Sequence, residues 1–172
     1  DVDSVIQEQK EFGACRDVTL EYPVAENEGE EDNTYLSYNM VVGNAADSQM
    51  AMAFEVLDYA LLSAPGAPLK QALLDVKAGK DVYGSYDDGI LQPYFTVIAK
   101  GSNPDRKEEF VSVIRQVLGD IVKNGIDKKA VEAGINYFEF RYREADFSSY
   151  PKGLMYSLDI LGDWLYEKGN PF

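Results

Sequence analysis

Residues 80–100 read KDVYGSYDDGILQPYFTVIAK. Two stretches rich in aromatic and β-branched residues, Lys80–Asp87 and Ile90–Lys100, flank Asp88-Gly89. That dipeptide favours a tight hairpin, because both central positions of such a turn need positive φ. The reading is therefore a pair of antiparallel strands joined at Asp88-Gly89.

Upstream, Val18, Leu20, Tyr22 and Val24 alternate with Thr19, Glu21 and Pro23, the period-2 pattern of a strand buried on one face. Pro23 cannot donate to a ladder, so this strand is expected to lie at an edge or to end there. Leu36, Tyr38, Met40 and Val42 repeat the pattern, which predicts a second hairpin across the acidic run Glu26–Asp32. Glu8, Lys10 and Glu11 suggest a short or frayed helix within a polar arm, residues 1–16, ahead of a single domain at 17–172.

The remaining segments read as helices. Asp47 can cap one whose stripe is Met50, Ala53, Phe54, Leu57 and Leu61. Pro65-Gly66-Ala67-Pro68 stops it as a stiff corner, and Pro68 suits the first turn of a short helix to Val76. Asn103-Pro104 opens a helix with Phe110, Val113, Ile114, Val117, Leu118, Ile121 and Val122 in register, ended by Gly125. Asp127 caps the next, to about Arg143, and Ser149–Pro151 starts the last, with Leu154, Leu158, Leu161 and Leu165.

The order β-β-α-α-β-β-α-α-α predicts an α+β fold: an antiparallel β-sheet of at least four strands with helices packed on one face. Its expected core includes Phe54, Leu57, Phe110, Ile114, Val117, Ile121, Leu158 and Trp164.

Composition narrows the function. The 172 residues hold no His and one Cys, with 16 Lys+Arg against 30 Asp+Glu, a net charge of −14. Without His there is no Ser-His-Asp triad, no Cys-His pair and no imidazole zinc site. A lone Cys15 makes no internal disulfide and no thiolate cluster, and is compatible with a reducing compartment. The negative charge disfavours nucleic acid and anionic membrane as partners. No apolar run approaches the roughly 18–20 residues that span a bilayer. With no initiator Met and no signal segment at Asp1, the expectation is a soluble, intracellular piece of a longer protein.

Several motifs invite a chemical reading. Glu26–Asp32 holds five carboxylates in seven residues, yet lacks the Asp-x-Asp-x-Asp-Gly spacing of a calcium loop and reads as solvated. Asp87 and Asp88 are turn neighbours that point apart rather than an acid/base pair. Gly79-Lys80 lacks the upstream glycine of a phosphate-binding loop. Tyr137, Phe138, Phe140 and Tyr142 read as helix packing, and Glu139 with Arg143 as a helix ion pair. Two features remain: the corner at Pro65, Gly66 and Pro68, and an aromatic hairpin whose Tyr83, Tyr86 and Tyr94 are candidate peptide contacts at an open strand edge. No catalytic and no metal-ligating residue is assigned.

Longer words carry a resemblance. They are Leu57–Leu62 (LDYALL) with Ala64–Leu73 (APGAPLKQAL), Gly84–Asp87 (GSYD), Gln92-Pro93, Gly125–Ala130 (GIDKKA), Gly134–Glu144 (GINYFEFRYRE), Asp146-Phe147 and Tyr150–Leu154 (YPKGL). Residues 18–172 resemble the pitrilysin/insulinase family of zinc metallopeptidases, and within it the presequence-protease branch.

The resemblance implies LuxS/mitochondrial-processing-peptidase-like architecture, in which four related α+β domains form two halves that close around a peptide. The first domain of such proteins carries the zinc motif His-x-x-Glu-His with a downstream glutamate. This chain resembles the second, which lacks it. The fourth supplies an Arg and a Tyr that steady the scissile carbonyl; here Tyr94 and Gly101 stand at about those positions, so no catalytic residue carries over. The resemblance implies zinc in the parent's catalytic domain and none here. Its partners would be the other domains of the same polypeptide and the peptides they enclose. Two other readings stay open: a stand-alone peptide-binding module, and a protein-interaction domain with no peptidase parent.

Overall fold

A computed structural model describes residues 5–27, 29–144 and 147–166. Three strands form one antiparallel sheet: β1 (Thr34–Val41), β2 (Asp81–Asp87) and β3 (Tyr94–Ser102), in the order β1-β3-β2. Five α-helices accompany them: α1 (Ser48–Asp58), α2 (Pro68–Asp75), α3 (Lys107–Asn124), α4 (Lys128–Glu144) and α5 (Lys152–Leu165). A π-helical turn, Tyr59–Ser63, extends α1, and a 3-10 turn, Pro104–Arg106, leads into α3.

Register decides which residues meet. Leu36, Tyr38 and Met40 of β1 pair with Ala99, Val97 and Phe95 of β3, which pair in turn with Val82, Gly84 and Tyr86 of β2. This face lies under α1, α2 and the π turn, with α3 against β1 and α2. Phe54 of α1 stacks on Tyr86 at 5.4 Å and tilts against Phe95 at 5.9 Å. Leu62, Leu69, Leu73, Phe110 and Ile114 close the core. The opposite face leaves Ser37, Asn39, Val41, Tyr83 and Ser85 exposed.

The fold is α+β and antiparallel, but the sheet has three strands among the described residues, not four or more. The missing one is the segment Val18–Val24, which forms no ladder. Its alternation favours extended backbone, but a ladder also needs facing N–H and C=O groups. Its contact with the sheet runs instead through a side chain: the Tyr22 hydroxyl donates to the Asn33 carbonyl, and its ring meets Tyr35 edge-on at 5.9 Å. Val18 and Leu20 are left exposed. Residues 5–16 hold no helix, and Gln92 takes both backbone groups of Gln9 with its side-chain amide, at 2.6 and 3.2 Å.

The hairpin also differs from the tight turn expected at Asp88-Gly89. Six residues, 88–93, join β2 to β3. The Gly89 N–H is taken by Asp87 Oδ1, while the carbonyls of Leu91 and Pro93 accept from Ala45 and Val42. Residues 91–93 thus belong to the chain that follows β1, so β3 begins only at Tyr94.

Helix ends follow their capping chemistry. Asp47 Oδ1 accepts from the Met50 N–H at 2.9 Å, and Asp127 Oδ1 from the Lys129 N–H at 2.9 Å. Gly125, at φ +86, ends α3. On α5, however, Leu158 and Trp164 are 52% and 56% exposed, so neither belongs to the core of this chain.

Candidate functional site

The three candidate tyrosines do not converge. Tyr83 lies on the open face of the edge strand β2 and is 36% exposed. Tyr86, three residues on, points to the covered face and is stacked on Phe54. Tyr94 shares the open face but sits at the far end of the hairpin, where its hydroxyl donates to Asp87 Oδ2 at 3.0 Å. That bond to a carboxylate raises the Tyr94 pKa. Period-2 alternation separates Tyr83 from Tyr86 whatever the sheet packs against.

Pro65 and Gly66 occupy the middle of a turn in which the Ala67 N–H donates to the Ala64 carbonyl at 3.0 Å. Gly66 has φ +72, so Pro at the second position and Gly at the third make a type II turn. Pro68 follows in the first turn of α2. This corner directs α2 onto β2 and α3.

The polar feature that spacing does not reveal is Asp58, at the junction of α1 and the π turn. Its Oδ2 accepts from Ser63 Oγ at 3.2 Å, and its Oδ1 is buried against Gly84 without a hydrogen-bond partner among the described residues. The π turn is closed by the Ala64 N–H donating to the Tyr59 carbonyl at 2.7 Å. It brings Ala60, Leu61 and Leu62 all into the interior. Nearby, Tyr142 of α4 donates to Glu55 Oε2 at 3.2 Å.

Burial raises the pKa of both carboxyls, Asp58 and Glu55, against the hydrogen bonds from Ser63 and Tyr142 that lower them. The Tyr142 hydroxyl is pushed up to about 12, first by burial and then by the Glu55 charge. A carboxyl whose pKa is higher folded than unfolded favours folding when protonated. That contribution is full below the unfolded pKa and is lost as pH rises through the folded value. Asp32 and Asp81, whose pKa values are lowered by bonds to Asn103 and Lys70, work in the opposite sense at lower pH, and both are solvated. Urea denaturation should therefore show stability falling as pH rises from about 4.5, the ordinary glutamate value, toward neutral, and Asp58→Ala should flatten the fall. A rise in stability over that interval would contradict the assignment.

These residues do not fit zinc. The chain has no His, its Cys15 is exposed and free, and no group of three or more His, Cys, Asp or Glu among the described residues could hold a metal ion. Nor is any helix among them long and apolar enough to cross a membrane.

Comparison with known proteins agrees with this inventory. The family described as the peptidase M16 inactive domain matches residues 6–138. The chain belongs to this family. As an M16 inactive domain it is 43% identical, over all 172 residues, to a protein called HypA of Clostridium perfringens (strain 13 / Type A), of which it spans 18%. It is 30% identical over 171 residues to presequence protease 1, chloroplastic/mitochondrial, of Arabidopsis thaliana, and spans 16% of that protein. Among solved structures, the inactive peptidase domain of a protein described as a zinc protease from Bordetella parapertussis matches 78% of this chain and 76% of its own, with a TM-score of 0.62 at 13% identity. At that identity the likeness concerns the fold. The M16 inactive domain thus spans less than a fifth of the curated relatives it matches.

Proposed function

We propose that this M16 inactive domain is the non-catalytic second domain of a zinc metallopeptidase that degrades peptides. In this reading it forms part of the wall that encloses the peptide and supports the catalytic domain, which carries the zinc. Its partners are the other domains of the same polypeptide. The observation that carries the reading is the family match to an inactive domain, joined to a chain with no histidine to offer a zinc ion. The relation to presequence proteases favours peptides as what the whole protein acts on.

Peptide contact is assigned to the open face of the sheet, where Tyr83 stands on the edge strand β2 beside Ser85. Tyr86 and Tyr94 support it from behind and from the hairpin end. The same edge favours a second reading, a stand-alone module that binds extended peptides by main-chain pairing along β2.

Three observations test these readings. The purified chain, supplied with zinc and a quenched-fluorescent peptide, should show no cleavage above background. Cleavage that survives repurification would overturn the non-catalytic reading. The coding region upstream should carry His-x-x-Glu-His about one domain length away. Without that motif, and with micromolar peptide binding lost in Tyr83→Ala, the stand-alone module would be the correct reading.

A further inference from the structure

A cavity of about 320 Å³ opens at the end of the sheet where β3 runs into the 3-10 turn. Lys77, Lys80, Arg106, Asp32, Ser102 and Asn103 line it. Three cations against one carboxylate give this cavity a net positive charge, on a chain whose total is −14.

The single carboxylate is already satisfied. Asp32 Oδ1 accepts from Asn103 Nδ2 at 2.7 Å, and its Oδ2 lies 3.4 Å from Lys80 Nζ. Asn103 is fixed in return, because its Oδ1 accepts from the Asp32 N–H at 2.8 Å. Arg106 spends Nη1 on Glu109 at 2.9 Å in an exposed i,i+3 pair, and a guanidinium has five donors. Lys77 has no ion-pair partner among the described residues.

Beneath this charge lies a neutral group with an unmet bond. Ser102 is 2% exposed, and its hydroxyl has no hydrogen-bond partner among the described residues. Buried hydroxyls are ordinarily paired, and one left unpaired beside a cationic cavity can donate to an anionic oxygen. Two glycines let the chain close around the space. A Cβ on Gly79 would sit 2.7 Å from the Lys100 carbonyl oxygen, and Gly101, at φ +67, lies against the Lys80 side chain.

We propose that this cavity is a binding site for a small oxyanion, a carboxylate or a phosphate group. Lys77 and Arg106 supply the charge, and Ser102 and Lys80 supply further hydrogen bonds. The volume suits a single group rather than a polymer. The long-range repulsion from −14 also turns polyanions away, while a small ion inside the cavity meets chiefly its lining. The inference rests on the cavity alone and does not depend on the peptidase reading.

Amide-resolved NMR of the 172-residue chain at constant ionic strength tests it. The three probes are inorganic phosphate, N-acetylglycine and the neutral N-acetylglycinamide. Saturable shifts at Gly79, Gly101, Ser102 and Asn103 are expected, with a dissociation constant on the order of 1 mM. Saturation by phosphate, by N-acetylglycine or by both supports the site and names the group it takes. Saturation by neither, or an equal response to the amide, overturns it. Lys77→Gly should weaken binding about tenfold, the scale of one charge-assisted hydrogen bond. It should keep the fold, because φ +55 at Lys77 suits glycine better than lysine. Arg106→Gln is the second variant, with circular dichroism confirming that each remains folded. Unchanged affinity in both would likewise overturn the assignment.

Discussion

Phe110→Ala is expected to destabilise the chain by about 3–5 kcal/mol, the usual cost of truncating a fully buried phenylalanine. Phe110 is 1% exposed and sits one turn before the equally buried Ile114 on α3. That helix packs against both α2 and β1, so Phe110 is part of what holds the helical layer to the sheet. The cluster around it (Leu36, Leu62, Leu69, Leu73, Val82, Val97) comes from four separate elements and the π turn. A cavity at their junction cannot collapse by moving one helix, which places the expected loss toward the upper end of the range. Urea denaturation followed by far-UV circular dichroism reads the effect as a lower midpoint at unchanged slope. A loss below about 1 kcal/mol would mean that the core is not organised around this side chain.

Why Phe110 could be placed from sequence, and other residues could not, is a matter of how many sides of an element are covered. α3 buries one stripe, so a 3.6-residue period finds Phe110 and Ile114 directly. α1 and its π turn lie between the sheet and α4. A helix packed on two sides carries apolar residues all round, and Val56, Ala60 and Leu62 are buried outside the stripe that periodicity selects. Gly134 of α4 shows the second contact: a Cβ there would lie 3.2 Å from Val56 and Tyr59.

The sheet was legible in direction and faces but not in extent. Alternation located β1, yet the sequence reading grouped Tyr83 with Tyr86, which the sheet places on opposite faces, and it could not tell an extended segment from a paired one at Val18–Val24. Asp88-Gly89 signalled a reversal. The carbonyls of Leu91 and Pro93, taken by residues 42–45, moved the start of β3 by four residues. At the candidate sites, the corner at Pro65-Gly66 follows from turn chemistry alone. Asp58 and the cationic cavity do not, because each depends on residues brought together from distant parts of the chain.

Gly84→Ala carries the other large expected effect, a loss of about 3 kcal/mol, at the top of the usual range for overpacking. Gly84 looks like an ordinary weak point in a strand, but a strand glycine often marks a close approach of another element. Here that element is the junction of α1 with the π turn. A Cβ on Gly84 would lie 2.5 Å from Leu62 Cδ1 and closer still to Asp58 Oδ1. Leu62 is 1% exposed and cannot step aside, so either the helix lifts from β2 or the Asp58 carboxyl moves. Lifting the helix also disturbs the stack of Phe54 on Tyr86. The double-mutant cycle with Asp58→Ala tells which obstacle dominates. Asp58→Ala removes a buried carboxyl with an unpaired oxygen and opens the space a new methyl needs. If that carboxyl is the main barrier, the second substitution should recover about 1–2 kcal/mol of the Gly84→Ala loss, as a coupling energy beyond the sum of the singles. Strict additivity would assign the barrier to Leu62. A neutral Gly84→Ala would show that β2 and the π turn are not packed this closely.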